Sequence, residues 1–356
     1  METHELQISG YFLQSFAIIS CRIAKPFPLK ILIVDHGRIP AHLYGGTERV
    51  IWYLGQELSR RGHEVSYLVS SGSECPFASI IIRNPEVPLE SQIPDDIDLI
   101  HFQYPPDFEP PKPYVVTNHG NRYDNSPFPL NTVFVSKNHA ERYGSSCFVY
   151  NGLNWDDYGK PDLTNQRKNF HFLGNAAWRV KNVKGAIKTV LRIPKEHLDV
   201  LGGNRLNLKM GLRFTPQLRI HFHGMVGGEK KYSYLRNSKG LIFPVLWHEP
   251  FGLAIIESLY FGCPVFATPY GSLQELVPDR VGFLSNSSVE LAENMKNADA
   301  FSKKQCHEWA AENFNANHMT NAYMALYEKV LNGDNLNSLA PQLIEKQPKF
   351  LPWNTL

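Results

Sequence analysis

Short apolar runs alternate along the chain with stretches whose apolar positions recur every three or four residues. KILIVDHG, from Lys30 to Gly37, has the pattern of a buried strand. After a loop, ERVIWYLGQELSRRGH places Val50, Ile51, Leu54 and Leu58 on one helical face, with Gly62 just past its end. EVSYLVS, DLIHFQ, YVVTNHG, TVFVSKN and CFVYNG read as further strands. The same grammar restarts at NFHFLG (Asn169 to Gly174) and continues through HLDVLGG, LRIHFHG, GLIFPV and CPVFATP. NWDDYGKPDLTNQRK, polar and turn-rich, reads as the linker between the halves. Past about residue 286 the pattern is helical, and APQLIEKQPKFLPWNTL reads as an ordered wrap or a loose tail. The prediction is an α/β protein with two Rossmann-like doubly wound domains, at 29–155 and 166–330, an extension at 1–28 and a wrap or tail at 331–356. Two such domains face each other with their strand carboxyl ends on one cleft, the usual ligand position.

A chain of 356 residues suits two domains, since single cores stop growing near 250–300 residues. A net charge of +2 gives no reason to expect nucleic acid. Cys21, Cys75, Cys147, Cys263 and Cys306 are scattered and form no CxxC, which points to a reducing cytoplasm without structural zinc. His221 and His223 share one strand face with no third ligand spaced for a metal, so no metal site is expected. No apolar run approaches the ~20 residues of a membrane span. YFLQSFAIIS is preceded by Glu2 and Glu5 where a signal peptide carries Lys or Arg. The extension therefore reads as a segment that packs on the domain or lies on a surface, a membrane face included.

The strand ends carry the candidate chemistry. Gly45 and Gly46 precede a helix whose start is marked by Thr47 and Glu48; there, backbone N–H groups can approach a phosphate or a sugar. The spacing fits neither GxGxxG nor GxxxxGK[ST]. His119, beside Asn118 and Gly120, is a better candidate to face a cleft than His101, while Ser136 and Asn151 close two further strands. In FLGNAAWRVKNVKGAIKTV, Arg179 or Lys181 could reach a diphosphate; Lys184 reads as a solvated cation. Pro250 sits near a helix start, leaving the N–H groups of Phe251, Gly252 and Leu253 free for an anion, with Glu249 in the preceding loop. Glu257 falls among Leu253, Ile256, Leu259 and Tyr260. Burial of an unpaired carboxylate costs several kcal/mol, so it must reach an internal cation or a ligand's vicinal diol, and spacing alone leaves both open.

HEPFGLAIIESLYFGCPV resembles the signature of the retaining GT-B glycosyltransferases of group 1, with Glu249 and Glu257 as its two acids. PAHLYGGTERVIWYLGQELSRRGHEV, VVTNHG, VFVS, VYNG, KNVKGAI and GSLQELV are similar to further family segments in the family's order, so the likeness spans about residues 29–330. The resemblance implies the GT-B fold, a nucleoside-diphosphate sugar as donor, no cofactor and no metal. It implies that Glu249 lies close to the donor sugar, that Phe251, Gly252 and Leu253 offer amides to sugar and diphosphate, and that Glu257 holds the ribose. Lys181 matches the phosphate-binding lysine, Gly45 and Gly46 the glycine loop at the diphosphate, and His119 a group at the reacting face. Lys181, Glu249 and His119 are thus the expected catalytic set. Asn175 stands where the family usually has Arg, and Arg179 is the expected substitute cation. A saccharide or lipid-linked acceptor, cell-envelope polysaccharide or lipopolysaccharide synthesis, and a cytoplasmic location with peripheral contact at the inner membrane face complete the expectation. A nucleotide-sugar epimerase of the same fold and a non-catalytic nucleotide-sugar-binding protein are the alternatives.

Overall fold

A computed structural model describes residues 28–41, 45–208, 212–346 and 348–355. Its first half is built on β1 (Lys30–Val34), whose last four residues are all buried, as expected for a central parallel strand. α1 (Gly46–Arg60) follows and leads to β2 (Glu64–Val69) and β3 (Ser79–Ile82), then β4 (Leu99–Phe102), β5 (Tyr114–Asn118), β6 (Thr132–Phe134) and α2 (Lys137–Arg142). The six strands form a parallel sheet in the order β3-β2-β1-β4-β5-β6.

The second half repeats this plan. β7 (Asn169–Leu173), α3 (Val183–Leu191), β8 (Leu198–Leu201), the short pair β9 (Leu206–Asn207) and β10 (Arg213–Phe214), β11 (Ile220–Phe222), α4 (Gly228–Arg236) and β12 (Ser238–Phe243) come first. α5 (Leu253–Tyr260), β13 (Val265–Ala267), α6 (Leu273–Leu276), β14 (Gly282–Leu284), α7 (Ser288–Met295), α8 (Lys303–Asn313) and α9 (Ala316–Leu331) complete it. Its parallel sheet runs β11-β8-β7-β12-β13-β14, the first sheet's order over again. Both are doubly wound sheets whose order reverses beside the first strand, so each opens a crevice at its strand carboxyl ends. The two-domain α/β fold is as the sequence predicts.

Three features differ from the sequence reading. CFVYNG makes only an isolated bridge, Phe134 to Phe148, while the unpredicted β3 and β14 close the two sheet edges. β3 lacks the signature of a buried run because no residue in it is fully buried. NWDDYGKPDLTNQRK is no loose connection, because Trp155 stacks on Tyr260 with ring centroids 4.3 Å apart. Arg167, inside the same stretch and buried, donates to the carbonyls of Leu235, Asp162 and Phe261.

The final helix also changes sides. The sequence reading places residues up to 330 in the second domain, yet Met319, Tyr323, Tyr327 and Val330 of α9 join the core of the first. The Tyr323 and Thr117 hydroxyls lie 2.9 Å apart, and Tyr327 bonds His101 at 2.8 Å. The apolar face of α9 covers α1 and the first sheet because neither alone buries that surface. Beyond it the chain is an ordered wrap: Asn337 donates to Leu130 and Thr132 in the first half, and Leu351 and Asn354 bond Leu246 and Ser288 in the second. The expected extension lies outside the described residues, apart from Pro28. Among the described residues, no helix is long and apolar enough to cross a membrane.

Removing the Tyr323 ring therefore damages the first half although its codon lies near the chain's end. Tyr323→Ala is expected to destabilise by about 3–5 kcal/mol, as for other buried aromatic truncations. Chemical denaturation followed by fluorescence would measure this, and a loss below about 1 kcal/mol would contradict the packing role of α9.

Candidate functional site

The loop between β12 and α5 meets the first half across a cleft. Its path is fixed at Gly271, whose φ is 67° and where a Cβ would lie 2.3 Å from the Glu249 carbonyl oxygen, so glycine is required. Ser272 donates its N–H to that same carbonyl at 3.0 Å. From the first half, the Ser136 hydroxyl donates to the Pro250 carbonyl and the Asn121 amide to the His248 carbonyl, each at 2.7 Å. Gly252, with φ 101°, supplies the left-handed residue that starts α5. The first N–H groups of a helix have no intrahelical acceptor, so this end is suited to an anion.

The cleft holds about 350 Å³, the lower range for small-molecule sites. Gly45, Gly46, Arg49 and His119 line it from the first half; Lys181, Glu249, Phe251, Gly252, Leu253 and Glu257 line it from the second. Lys181 closes a 3₁₀ turn after β7 and its Nζ donates to both Glu249 oxygens, at 2.8 and 2.7 Å. That ammonium also lies 5.1 Å from the Phe243 ring centroid and 5.0 Å from that of Trp247, which itself donates Nε1–H to Glu249 at 2.7 Å. Phe251 sends its ring into the core against Phe314. His119 pairs through Nε2 with Gln103 Oε1 at 2.8 Å, and burial pushes its imidazole down to about 4, leaving it neutral near pH 7.

Glu257 is only 2% exposed. Its Oε1 accepts from Arg49 Nη1, Lys231 Nζ and the Tyr158 hydroxyl, and its Oε2 lies 3.4 Å from Arg49 Nη2. Burial by itself raises this pKa, but Arg49 first and Lys231 second overcome it and bring the group to about 2. Burial likewise lowers Lys231, to about 8, against the opposing pull of Glu257. The burial of Glu257 is thus explained by two internal cations and needs no ligand's diol. Glu257 nevertheless stands in the lining of the cleft.

Residues 167–298 match the family of glycosyl transferases group 1. The folded chain is similar to AviGT4, a glycosyltransferase involved in avilamycin A biosynthesis, with a TM-score of 0.71 at 20% identity over 86% of this chain and 99% of that one. It is also similar to Alr3699/HepE of Anabaena, solved in complex with UDP-glucose, with a TM-score of 0.62 at 16% identity over 84% and 99% of the two chains. A protein of the cps region of Klebsiella pneumoniae is 30% identical over 116 residues, which is 31% of this chain. The matched stretch spans only 32% of that relative's length. The matched stretch is thus that of a group 1 glycosyl transferase domain, and the two-domain α/β fold is shared with solved glycosyltransferases.

The expected substitute cation Arg179 lies elsewhere. It is exposed, its guanidinium lies 5.1 Å from the Phe350 ring, and it lines a separate cavity with Lys184 and Arg213. The tight 3₁₀ turn sends Arg179 and Lys181 to different sides. His101 is a satisfied core group between Tyr327 and Thr117, as its weaker candidacy implies. His223 pairs with Asp199 at 2.7 Å and His197 with His221 at 3.0 Å; among the described residues, no three metal-ligating side chains cluster. Arg49, Tyr158, Lys231 and Trp247 escaped the sequence reading. Arg49 stands in the glycine-loop segment GGTER and Trp247 beside the signature, so those two had a local signal.

The folded-state pKa of Glu257 lies below its ordinary 4.5, so the native state binds fewer protons than the unfolded chain between those values. Its contribution is complete above about pH 4.5 and is lost as pH falls toward 2. Glu257→Gln should lose about 3–5 kcal/mol at pH 7, because Arg49 and Lys231 are left without their counter-charge. Its stability should also fall less steeply than the wild type's below pH 4.5; urea titrations across that range give the comparison. Parallel acid limbs would contradict the ion pairing.

Proposed function

We propose that the protein is a retaining glycosyltransferase that moves a sugar from a nucleoside-diphosphate carrier to a hydroxyl acceptor. The observation that carries this reading is the convergence of Lys181, Glu249 and the start of α5 on a cleft between two doubly wound sheets. A cation, a carboxylate and a helix start in one small volume suit a substrate joining an anionic diphosphate to a polyhydroxylated ring. Alr3699/HepE, of similar fold, is solved with UDP-glucose, and this supports the same donor class here.

In the proposed reaction the bond between sugar C1 and the diphosphate oxygen breaks while the acceptor oxygen bonds to C1 on the same face. The acceptor's proton passes to the leaving phosphate oxygen. Lys181 and the α5 amides stabilise the negative charge that develops on the diphosphate. Glu249 holds sugar hydroxyls, Gly45 and Gly46 allow close approach of the α1 amides, and neutral His119 hydrogen-bonds the sugar near the reacting face. Closure of the halves excludes the water that would otherwise compete as acceptor. The proposed acceptor is an envelope saccharide or lipid-linked sugar, and the proposed place of assembly is the cytoplasmic face of the membrane; a protein of the cps region of Klebsiella pneumoniae is among the chain's relatives.

Lys181→Ala is expected to lower kcat by about 10²–10³-fold, the usual loss for one charge-stabilising donor. Glu249→Gln should raise KM for the sugar donor while affinity for the bare nucleoside diphosphate holds or rises, because Lys181 is freed of its carboxylate. Turnover of UDP-, GDP- and ADP-sugars with saccharide acceptors, with the product anomer read by NMR, tests both variants and the stereochemistry. Full activity in Lys181→Ala, or an inverted anomer, would overturn the proposal.

A further inference from the structure

We infer that Arg49 is a transferable cation: it pairs with Glu257 and turns to the diphosphate when the nucleotide's ribose takes its place on that carboxylate. The inference rests on the nucleoside-diphosphate reading above and adds a residue to it. Six charged side chains line the cleft: Glu48, Arg49, Lys181, Lys231, Glu249 and Glu257. Three are acidic and three basic, so the lining is neutral with all ionised, and a diphosphate needs a cation released from a carboxylate. Neither alternative near β7 supplies one. The Asn175 side chain accepts from the Ala177 N–H at 3.0 Å, and Arg179 lies in the neighbouring cavity.

Glu257 is the carboxylate with a cation to spare, since one negative charge faces both Arg49 and Lys231. The side chain of Lys231 is 7% exposed and can remain as counter-charge. That of Arg49 is 23% exposed and belongs to the opposite half of the protein. Helical side chains lean toward the helix N-terminus, which carries the Arg49 guanidinium back over the first turn of α1. Its Nε–H already donates to the Gly45 carbonyl at 3.2 Å, beside the glycines that open onto the cleft. Ribose hydroxyls binding Glu257 would compete with Arg49 for Oε1, and the displaced guanidinium has the diphosphate within its swing. A bidentate fork suits phosphate oxygens as well as it suits a carboxylate.

Exchange has a signature that a plain structural ion pair lacks. In Arg49→Met, affinity for the uncharged nucleoside should rise several-fold because its competitor is gone, while affinity for the diphosphate should fall about tenfold or more. Calorimetry with uridine and UDP, and with the adenosine and guanosine pairs alongside, reads both on the full chain. Arg49→Lys keeps the charge but loses the fork, so its ratio of the two affinities should fall between those of wild type and Arg49→Met. If both affinities move together in Arg49→Met, or if Arg49→Lys collapses the ratio as far as Met does, the exchange is overturned while the donor reading stands. Should wild-type protein bind none of the diphosphates, the donor reading fails and this inference with it. If Arg49→Met does not fold, the Lys variant and the salt dependence of wild-type UDP binding decide. Loss of the diphosphate's advantage over the nucleoside at high salt supports exchange, and salt-independent binding overturns it.

Discussion

A carboxylate inside an apolar helix must be neutralised, and around Glu257 this requirement ties the protein together. One cation comes from α1 in the first half, the other from α4 in the second, and a hydroxyl comes from the segment that joins them. The partners come from three separate elements, so the charge balance of Glu257 depends on both halves and on their connection. A buried pair of this kind adds little net stability over apolar packing, but losing one partner is costly. Its value is positional, because it fixes the walls of the cleft against one another.

The repeated sheet order explains why the cleft is there at all. Each doubly wound sheet leaves a crevice where strand order reverses, and helices start at that same edge. When two such edges face each other, the glycine turn before α1 comes to lie opposite the start of α5, close enough that a Cβ at Gly46 would sit 3.6 Å from Leu253 Cδ1. Chemistry is thus concentrated where helix starts meet from both sides. The wrap formed by α9 and the final segment bonds to both halves and limits how they separate.

Much of this is legible in the sequence because strand ends and helix starts have local signals. The apolar runs locate the central strands, and Pro250 and Gly252 locate the start of α5. What fails is whatever depends on distant partners. Glu257 is visibly anomalous, but its counter-ions lie 208 and 26 positions away, so the sequence shows the need without the answer. Lys231 lies in a mostly polar helix and looks like any solvated lysine until the fold buries it. The α9 tyrosines look like ordinary core positions and say nothing of which core. The linker's polarity conceals Trp155 and Tyr158, which bind it to the second half. Arg179 and Lys181 differ by two positions, yet only the turn geometry decides which one faces the cleft.

The cleft keeps its charges paired, and on the proposed reading that arrangement has a chemical consequence. Cations exposed to water would have to shed hydration as the diphosphate arrives, whereas Lys181 and Arg49 are already partly desolvated and aimed by their carboxylates. Binding then becomes an exchange of partners at low reorganisation, the condition under which fixed charges contribute most to catalysis. The exchange also selects among ligands. A phosphate group alone could draw away the cations only by leaving Glu249 and Glu257 with unmet charge in a buried setting, which costs several kcal/mol. Hydroxyl groups alone could satisfy the acids but would leave Lys181 and Arg49 without a counter-charge. Only a ligand with hydroxyls at both ends of a diphosphate satisfies every group at once, and a nucleoside-diphosphate sugar has that form.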